Sequence, residues 1–224
     1  TGIPIDQDYR DNSVTYARSR LSYAVSPNLA VFTQGTVREL SYDQNQVLTG
    51  NVRSRDSSGY TVSGGVDFEL TSLVRGDIAI GYFSEDKEDD FFKDVDGLSV
   101  DGRMEWFPTR LTTVGFTAGR RVVDIGVFDS PSALQTSFGA RIDHELRRNI
   151  ILSAAANIVS YDYQEIDRTD DVNDLSLTAA YKMNKRVHFE TFARHINRDS
   201  GGAGVFGDPS YDVNLVGVGL KLYP

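Results

Sequence analysis

Apolar and polar residues alternate along this chain in runs of about a dozen, long for globular strands, which average about 5–6 residues. Tyr60, Val62, Gly64, Val66, Phe68 and Leu70 share one face of a run whose other face carries Thr61, Ser63, Gly65, Asp67 and Glu69. Leu98, Val100, Gly102, Met104 and Trp106 alternate in the same way with Ser99, Asp101, Arg103 and Glu105. Near the end, Val216, Val218, Leu220 and Leu222 alternate with Leu215, Gly217, Gly219 and Lys221. Helical periodicity is nearly absent. A strand tilted across a bilayer needs about 9–11 residues, so runs of this length are long enough to span one.

The connections point the same way. Eleven strands are expected, at 13–25, 29–42, 58–70, 75–86, 96–107, 111–124, 132–145, 149–163, 171–183, 187–198 and 211–223. Short turns fall at Ser26-Pro27-Asn28, Thr71-Ser72-Leu73-Val74, Pro108-Thr109-Arg110, Arg147-Arg148-Asn149 and Asn184-Lys185-Arg186. Longer polar loops near 43–57, 87–95, 125–131, 164–170 and 199–210 lie between them. Outer-membrane barrels alternate tight periplasmic turns with longer outer loops, whereas a soluble sandwich has no reason to gather its short turns at one end.

The expected fold is therefore all-β: a transmembrane antiparallel up-and-down β-barrel in the outer membrane of a Gram-negative bacterium, with about 11–12 strands in one domain over 1–224. Bacterial barrels have even strand numbers, but the first strand here ends in a short turn. Residues 1–12 then form an outer loop, and either a strand is missed or the chain is the C-terminal part of a larger barrel. The second reading is preferred, because Ile3-Pro4-Ile5-Asp6-Gln7 is too short and polar to span.

Composition narrows the function. A net charge of −9 argues against nucleic-acid binding, which needs a basic surface. There is no cysteine, hence no disulfide and no thiolate metal site, and no cofactor is implied. No run approaches the length of a membrane-crossing helix. Acidic residues gather on the loop side (Glu85, Asp86, Glu88, Asp89, Asp90, Asp94, Asp96, Glu165, Asp167, Asp170, Asp171), basic ones on the turn side (Arg75, Arg110, Arg147, Arg148, Lys185, Arg186). Solvated charge explains most of these; an acidic rim sharing divalent cations with lipopolysaccharide is the functional alternative.

A charge facing lipid near the midplane costs about 2–4 kcal/mol for Arg or Lys and little in a wet lumen, so alternation assigns the charged strand residues inward. The lumen-lining candidates are Arg18, Arg20, Arg38, Asp67, Glu69, Asp101, Arg103, Glu105, Arg141, Lys182, Glu190 and Arg194, with Asp77 and Asp143 beside them. They either touch solute or brace the wall as cross-strand ion pairs, and bracing is favoured for any one of them. Tyr16, Phe32 and Phe107 are candidate sugar-stacking surfaces, with a girdle or packing role preferred for any one of them.

Three stretches near the end resemble a known family: Leu175-Ser176-Leu177-Thr178-Ala179-Ala180-Tyr181-Lys182-Met183-Asn184-Lys185-Arg186, then Arg194-His195-Ile196-Asn197-Arg198-Asp199-Ser200, then Tyr211-Asp212-Val213-Asn214-Leu215-Val216-Gly217-Val218-Gly219-Leu220. They are similar to strands of the outer-membrane β-barrel family associated with bacterial exopolysaccharide and capsule secretion loci. The resemblance implies export of a polysaccharide, with outer-membrane lipid, lipopolysaccharide, the polysaccharide and other envelope or secretion proteins as partners. These motifs mark strands and turns rather than a catalytic site.

No enzyme is expected. A Ser-His-acid site needs its members within hydrogen-bond reach. His188 and His195 are seven residues apart on one strand, hence on opposite faces, and His144 lies at the turn end. No Gly-x-Ser-x-Gly elbow occurs. Asp94-Val95-Asp96-Gly97 lacks the spaced ligands and terminal glutamate of a calcium loop. The expected function is a conduit for exopolysaccharide or smaller hydrophilic solutes, with a plugged barrel that scaffolds a partner as the alternative.

Overall fold

Runs rich in β-branched, aromatic and small residues, punctuated by Asn, Gly, Pro and Ser, fold into strands throughout the chain. The computed structural model describes residues 11–48, 51–127, 130–202 and 209–223. Its strands are β1 (Asn12–Ser26), β2 (Leu29–Tyr42), β3 (Gln46–Leu48), β4 (Asn51–Arg53), β5 (Ser57–Thr71), β6 (Val74–Lys87), β7 (Val95–Thr109), β8 (Thr112–Val127), β9 (Ser130–Arg147), β10 (Ile150–Tyr163), β11 (Thr169–Lys182), β12 (Val187–Gly201) and β13 (Tyr211–Leu222). Eleven of them form one sheet in chain order, every neighbour antiparallel, and β3 pairs with β4 separately. This is the up-and-down meander of a transmembrane β-barrel. β1 and β13 run in the same direction at the two edges of the sheet.

Each of the eleven expected strands is present, most of them extended by a residue or more. Two expectations are corrected. The loop at 43–57 contains the β3–β4 hairpin. The loop at 125–131 is largely strand, because the β8–β9 ladder continues to Val127 opposite Ser130. Polar residues stay in strand there because a ladder projecting past the bilayer is held by backbone hydrogen bonds, whatever its side chains. Residues 1–10, expected as an outer loop, lie outside the described residues, as do 203–208 of the last loop.

Register decides which residues share a face, since directly paired residues point the same way. One row runs Ala30, Asp67, Asp77, Arg103, Thr117, Gly139, Asn157, Asp174 and Ile196 from β2 to β12. The row beside it, on the opposite face, runs Val31, Val66, Ile78, Gly102, Ala118, Phe138 and Ile158. The β2 and β12 segments, whose alternation is weak in sequence, keep uninterrupted register. Bulges sit at strand ends, so no face is inverted midway.

Close approach of β5 and β6 depends on Gly81, opposite Ser63. A Cβ at Gly81 would lie 2.1 Å from the Val62 carbonyl oxygen and 2.6 Å from the Ser63 Cα. Gly81→Ala is expected to cost on the order of 1–3 kcal/mol through forced strand separation, read as a lower urea midpoint of the folded barrel.

Candidate functional site

A contact between distant strands identifies the inner face. Arg38 on β2 pairs with Asp124 on β8, although β5, β6 and β7 stand between them in the sheet. Such a chord exists only on the concave side of a curved sheet. Arg38 and the residues of its parity therefore face the lumen.

The opposite face is apolar and exposed. Val31, Val62, Ile78, Ile80, Leu98, Phe138, Ile142, Leu152, Ile158, Leu175, Leu177, Val216, Val218 and Leu220 all lie on it with large solvent-accessible fractions. Tyr23, Trp106, Tyr181 and Phe189 flank this belt near the turns, and Tyr60 and Tyr82 near the loops. An exposed apolar band of this extent between aromatic girdles is the outer surface of a membrane barrel. Above it, on β11 to β13, the same face turns polar at Asn173, His195, Asn197, Asp212 and Asn214, where the strands leave the hydrocarbon.

Register places all twelve lumen candidates on the concave face. Seven of them form ion pairs. Arg20 reaches Asp67 at 2.5 Å, Arg75 reaches Glu105 at 2.6 Å, and Arg194 reaches Asp174 at 2.6 Å. Arg141 grips Asp143 through two nitrogens at 2.7 Å, Lys221 holds Glu190, and Arg38 binds two carboxylates. Arg18, Glu69, Asp101, Arg103 and Lys182 make no ion pair among the described residues. At the turn-side end, a cavity of about 540 Å³ is lined by Asp67, Glu69, Arg75, Asp77, Arg103 and Glu105. This lining is charged but of mixed sign.

The aromatic candidates divide. Phe32 is buried, with the Arg20 guanidinium 3.5 Å from its ring centroid, and its ring lies over Gly65 of β5. Phe107 lies under Arg75 at 5.1 Å. Both are packing residues, whereas Tyr16 stands exposed on the inward parity of β1.

At the loop-side end the lumen is crossed by a cluster that sequence reasoning did not assemble. Glu85, expected on a solvated rim, is buried on the concave face. It accepts hydrogen bonds from Arg38 (3.1 Å), Lys87 (2.7 Å) and Ser57 (3.2 Å). Arg55, between β4 and β5, is 2% exposed. It donates to the Tyr42 hydroxyl and the Ile125 carbonyl, both at 3.2 Å, and lies over the Tyr42 ring. Leu40, Tyr42, Phe83 and Val95 are buried with them. The β8 strand supplies Asp124 by leaving the wall. Its pairing with β7 stops at Arg120 opposite Val100, while its pairing with β9 continues.

A second buried hub lies on the other wall, beyond the apolar belt. Asp170 is 0% exposed, and both its oxygens are taken. Arg168 binds them at 2.9 and 2.8 Å, Tyr163 donates at 2.7 Å, and Arg198 completes the set. Burial pushes the Asp170 carboxyl up, but the hydrogen bonds from Arg168, Tyr163 and Arg198 outweigh it and hold the group well below the usual carboxylate range. The Tyr163 phenol is pushed up to about 12, by burial first and then by its bond to Asp170.

Much of the remaining acidic rim is also occupied. Asp89 pairs with Arg53 at 3.0 Å, Asp94 accepts the Lys87 backbone N–H, and Asp96 accepts the Tyr82 hydroxyl. No three metal-type side chains converge among the described residues, so the rim there offers single carboxylates rather than a chelating set. The histidines point to separate places: His144 to Thr112, His188 to the Tyr223 ring on the concave face, and His195 to Asn214 on the outer face.

Among solved structures, the chain is similar to the NanC porin, with 10% identity, a TM-score of 0.41, and coverage of 94% of this chain and 96% of that one. It is also similar to LpxR from Salmonella typhimurium, with 10% identity, a TM-score of 0.36, and coverage of 93% and 88% respectively. No curated protein matches it. The family model described as Putative beta-barrel porin 2 matches residues 1–223, nearly the whole sequence. With a charged inner face, an apolar belt and an unbroken antiparallel meander behind that match, the chain belongs to the Putative beta-barrel porin 2 family of outer-membrane β-barrels.

Proposed function

We propose that this barrel passes hydrophilic solutes across the outer membrane along its concave face. The observation that carries this reading is the separation of chemistry by face: the Arg20–Asp67, Arg75–Glu105 and Arg194–Asp174 ion pairs point inward, while the apolar belt points out. Arg18, Glu69, Asp77, Asp101, Arg103 and Lys182 are inward charges that make no ion pair among the described residues and are free to meet a solute. Their mixed signs suit a polyhydroxylated solute that trades hydrogen bonds along a wall. Exopolysaccharide is the finer reading, supported by the resemblance of the last fifty or so residues to secretion-locus barrels. Passive passage is favoured over catalysis because the three histidines face three different surroundings, none hydrogen-bonded to a serine among the described residues. Outer-membrane lipid surrounds the belt, and lipopolysaccharide would meet the loop-side rim.

A closed scaffold is the second reading, favoured by the buried cluster at the loop-side mouth. Planar-bilayer recording with the purified full-length protein separates the two. Steady unitary conductance interrupted by added oligosaccharides is the result expected for a conduit. Silent membranes with a correctly folded, heat-modifiable barrel would favour the scaffold.

A further inference from the structure

We propose that the Arg38 contact with Glu85 and Asp124 is a gate at the loop-side mouth, opened when Arg38 releases Asp124; this rests on the solute-passage reading. Three observations support a gate rather than a brace.

The first is position. A cavity of about 540 Å³ lies near the turns against β1 to β7, and a separate, smaller one of about 110 Å³ lies toward the loops beside Arg38, Phe83, Glu85 and Arg121. The contact at the loop-side end ties β2 to β8 across the lumen, and a solute following the wall between them must pass it.

The second is how the far partner is attached. Asp124 is carried by the part of β8 that has separated from β7, with a register irregularity just beyond it. A hairpin attached to the wall by one ladder instead of two can swing with less loss of backbone bonding.

The third is how unevenly the groups are satisfied. Without Arg38, Glu85 keeps Lys87 and Ser57. Asp124 has one oxygen with no hydrogen-bond partner, and the Nε of Arg55, which bonds the neighbouring Ile125 carbonyl through its Nη2, is also unpartnered. A partly satisfied polar network holds its closed arrangement weakly. The Asp170 hub contrasts with it: both carboxylate oxygens are engaged, and it joins neighbouring strands without crossing the lumen.

The test uses the full-length protein in planar bilayers, with Arg38→Ala cutting the tie from one side and Asp124→Asn weakening it from the other. Heat-modifiable gel mobility confirms folding of each variant. Both variants are expected to raise unitary conductance severalfold, or to raise the open fraction of a flickering channel. Arg38→Lys, which keeps the charge but not the two-carboxylate geometry, should fall between them and the parent. Variants that conduct like a conducting parent overturn the gate and leave solute passage standing. Folded barrels that stay silent in every variant overturn both.

Discussion

Asp170→Ala is expected to destabilise the folded barrel by on the order of 3 kcal/mol, because it strands two guanidinium groups that share one buried carboxylate. Arg168 and Arg198 reach the same side chain from different strands or loops, and Tyr163 donates to it from β10. Removing it therefore leaves charge without a counter-charge and cuts the link among β10, β11 and β12. The check is a urea titration followed by heat-modifiable mobility. Asp170→Asn should lose less, since it keeps the volume and one acceptor. An unchanged midpoint in Asp170→Ala would mean that water satisfies the arginines.

The same hub predicts an acid-side pH dependence. The folded-state pKa of Asp170 lies below its unfolded value, so its contribution is fully present above about pH 4 and is lost as pH falls toward the folded value. Asp170→Asn should flatten that part of the stability profile while leaving neutral pH behaviour parallel to the parent.

A second large effect separates the two faces. Leu177 is 62% exposed on the outer face, and in a water-soluble protein its replacement by arginine would cost almost nothing. Near the middle of the apolar belt, Leu177→Arg is expected to cost about 2–4 kcal/mol in a bilayer. Thr178→Arg, one residue along and facing the lumen, should cost far less. The comparison is made by reversible unfolding in lipid vesicles. Equal costs at the two positions would contradict the assignment of faces.

Much of the fold was legible because alternation is a local property. Each strand carries its own period-2 record, and turns such as Asn184-Lys185-Arg186 fix where it stops. The β3–β4 hairpin and the upper part of β8–β9 were not legible, since above the membrane polar and apolar side chains are equally tolerated and the pattern fades. Among the site residues, the inward parity of Arg20, Asp67 and Arg194 could be read from sequence, but their partners could not. One signal was available for others: opposite charges two residues apart on one face, as in Glu85 with Lys87, Arg141 with Asp143, and Arg168 with Asp170. These three pairs satisfy each other locally, whereas Asp101 and Arg103, with the same spacing on β7, do not pair, so the spacing alone does not tell bracing from free charge.

The sequence by itself determined the strands, the two ends of the sheet and which side chains share a face, because each depends on spacing along one segment. Only the tertiary structure decided that Glu85 and Asp170 are buried, that Asp124 leaves the wall, and that Arg38 reaches it past three intervening strands. The physical reason is that these contacts depend on sheet curvature, which accumulates from strand to strand and is written in no single one of them.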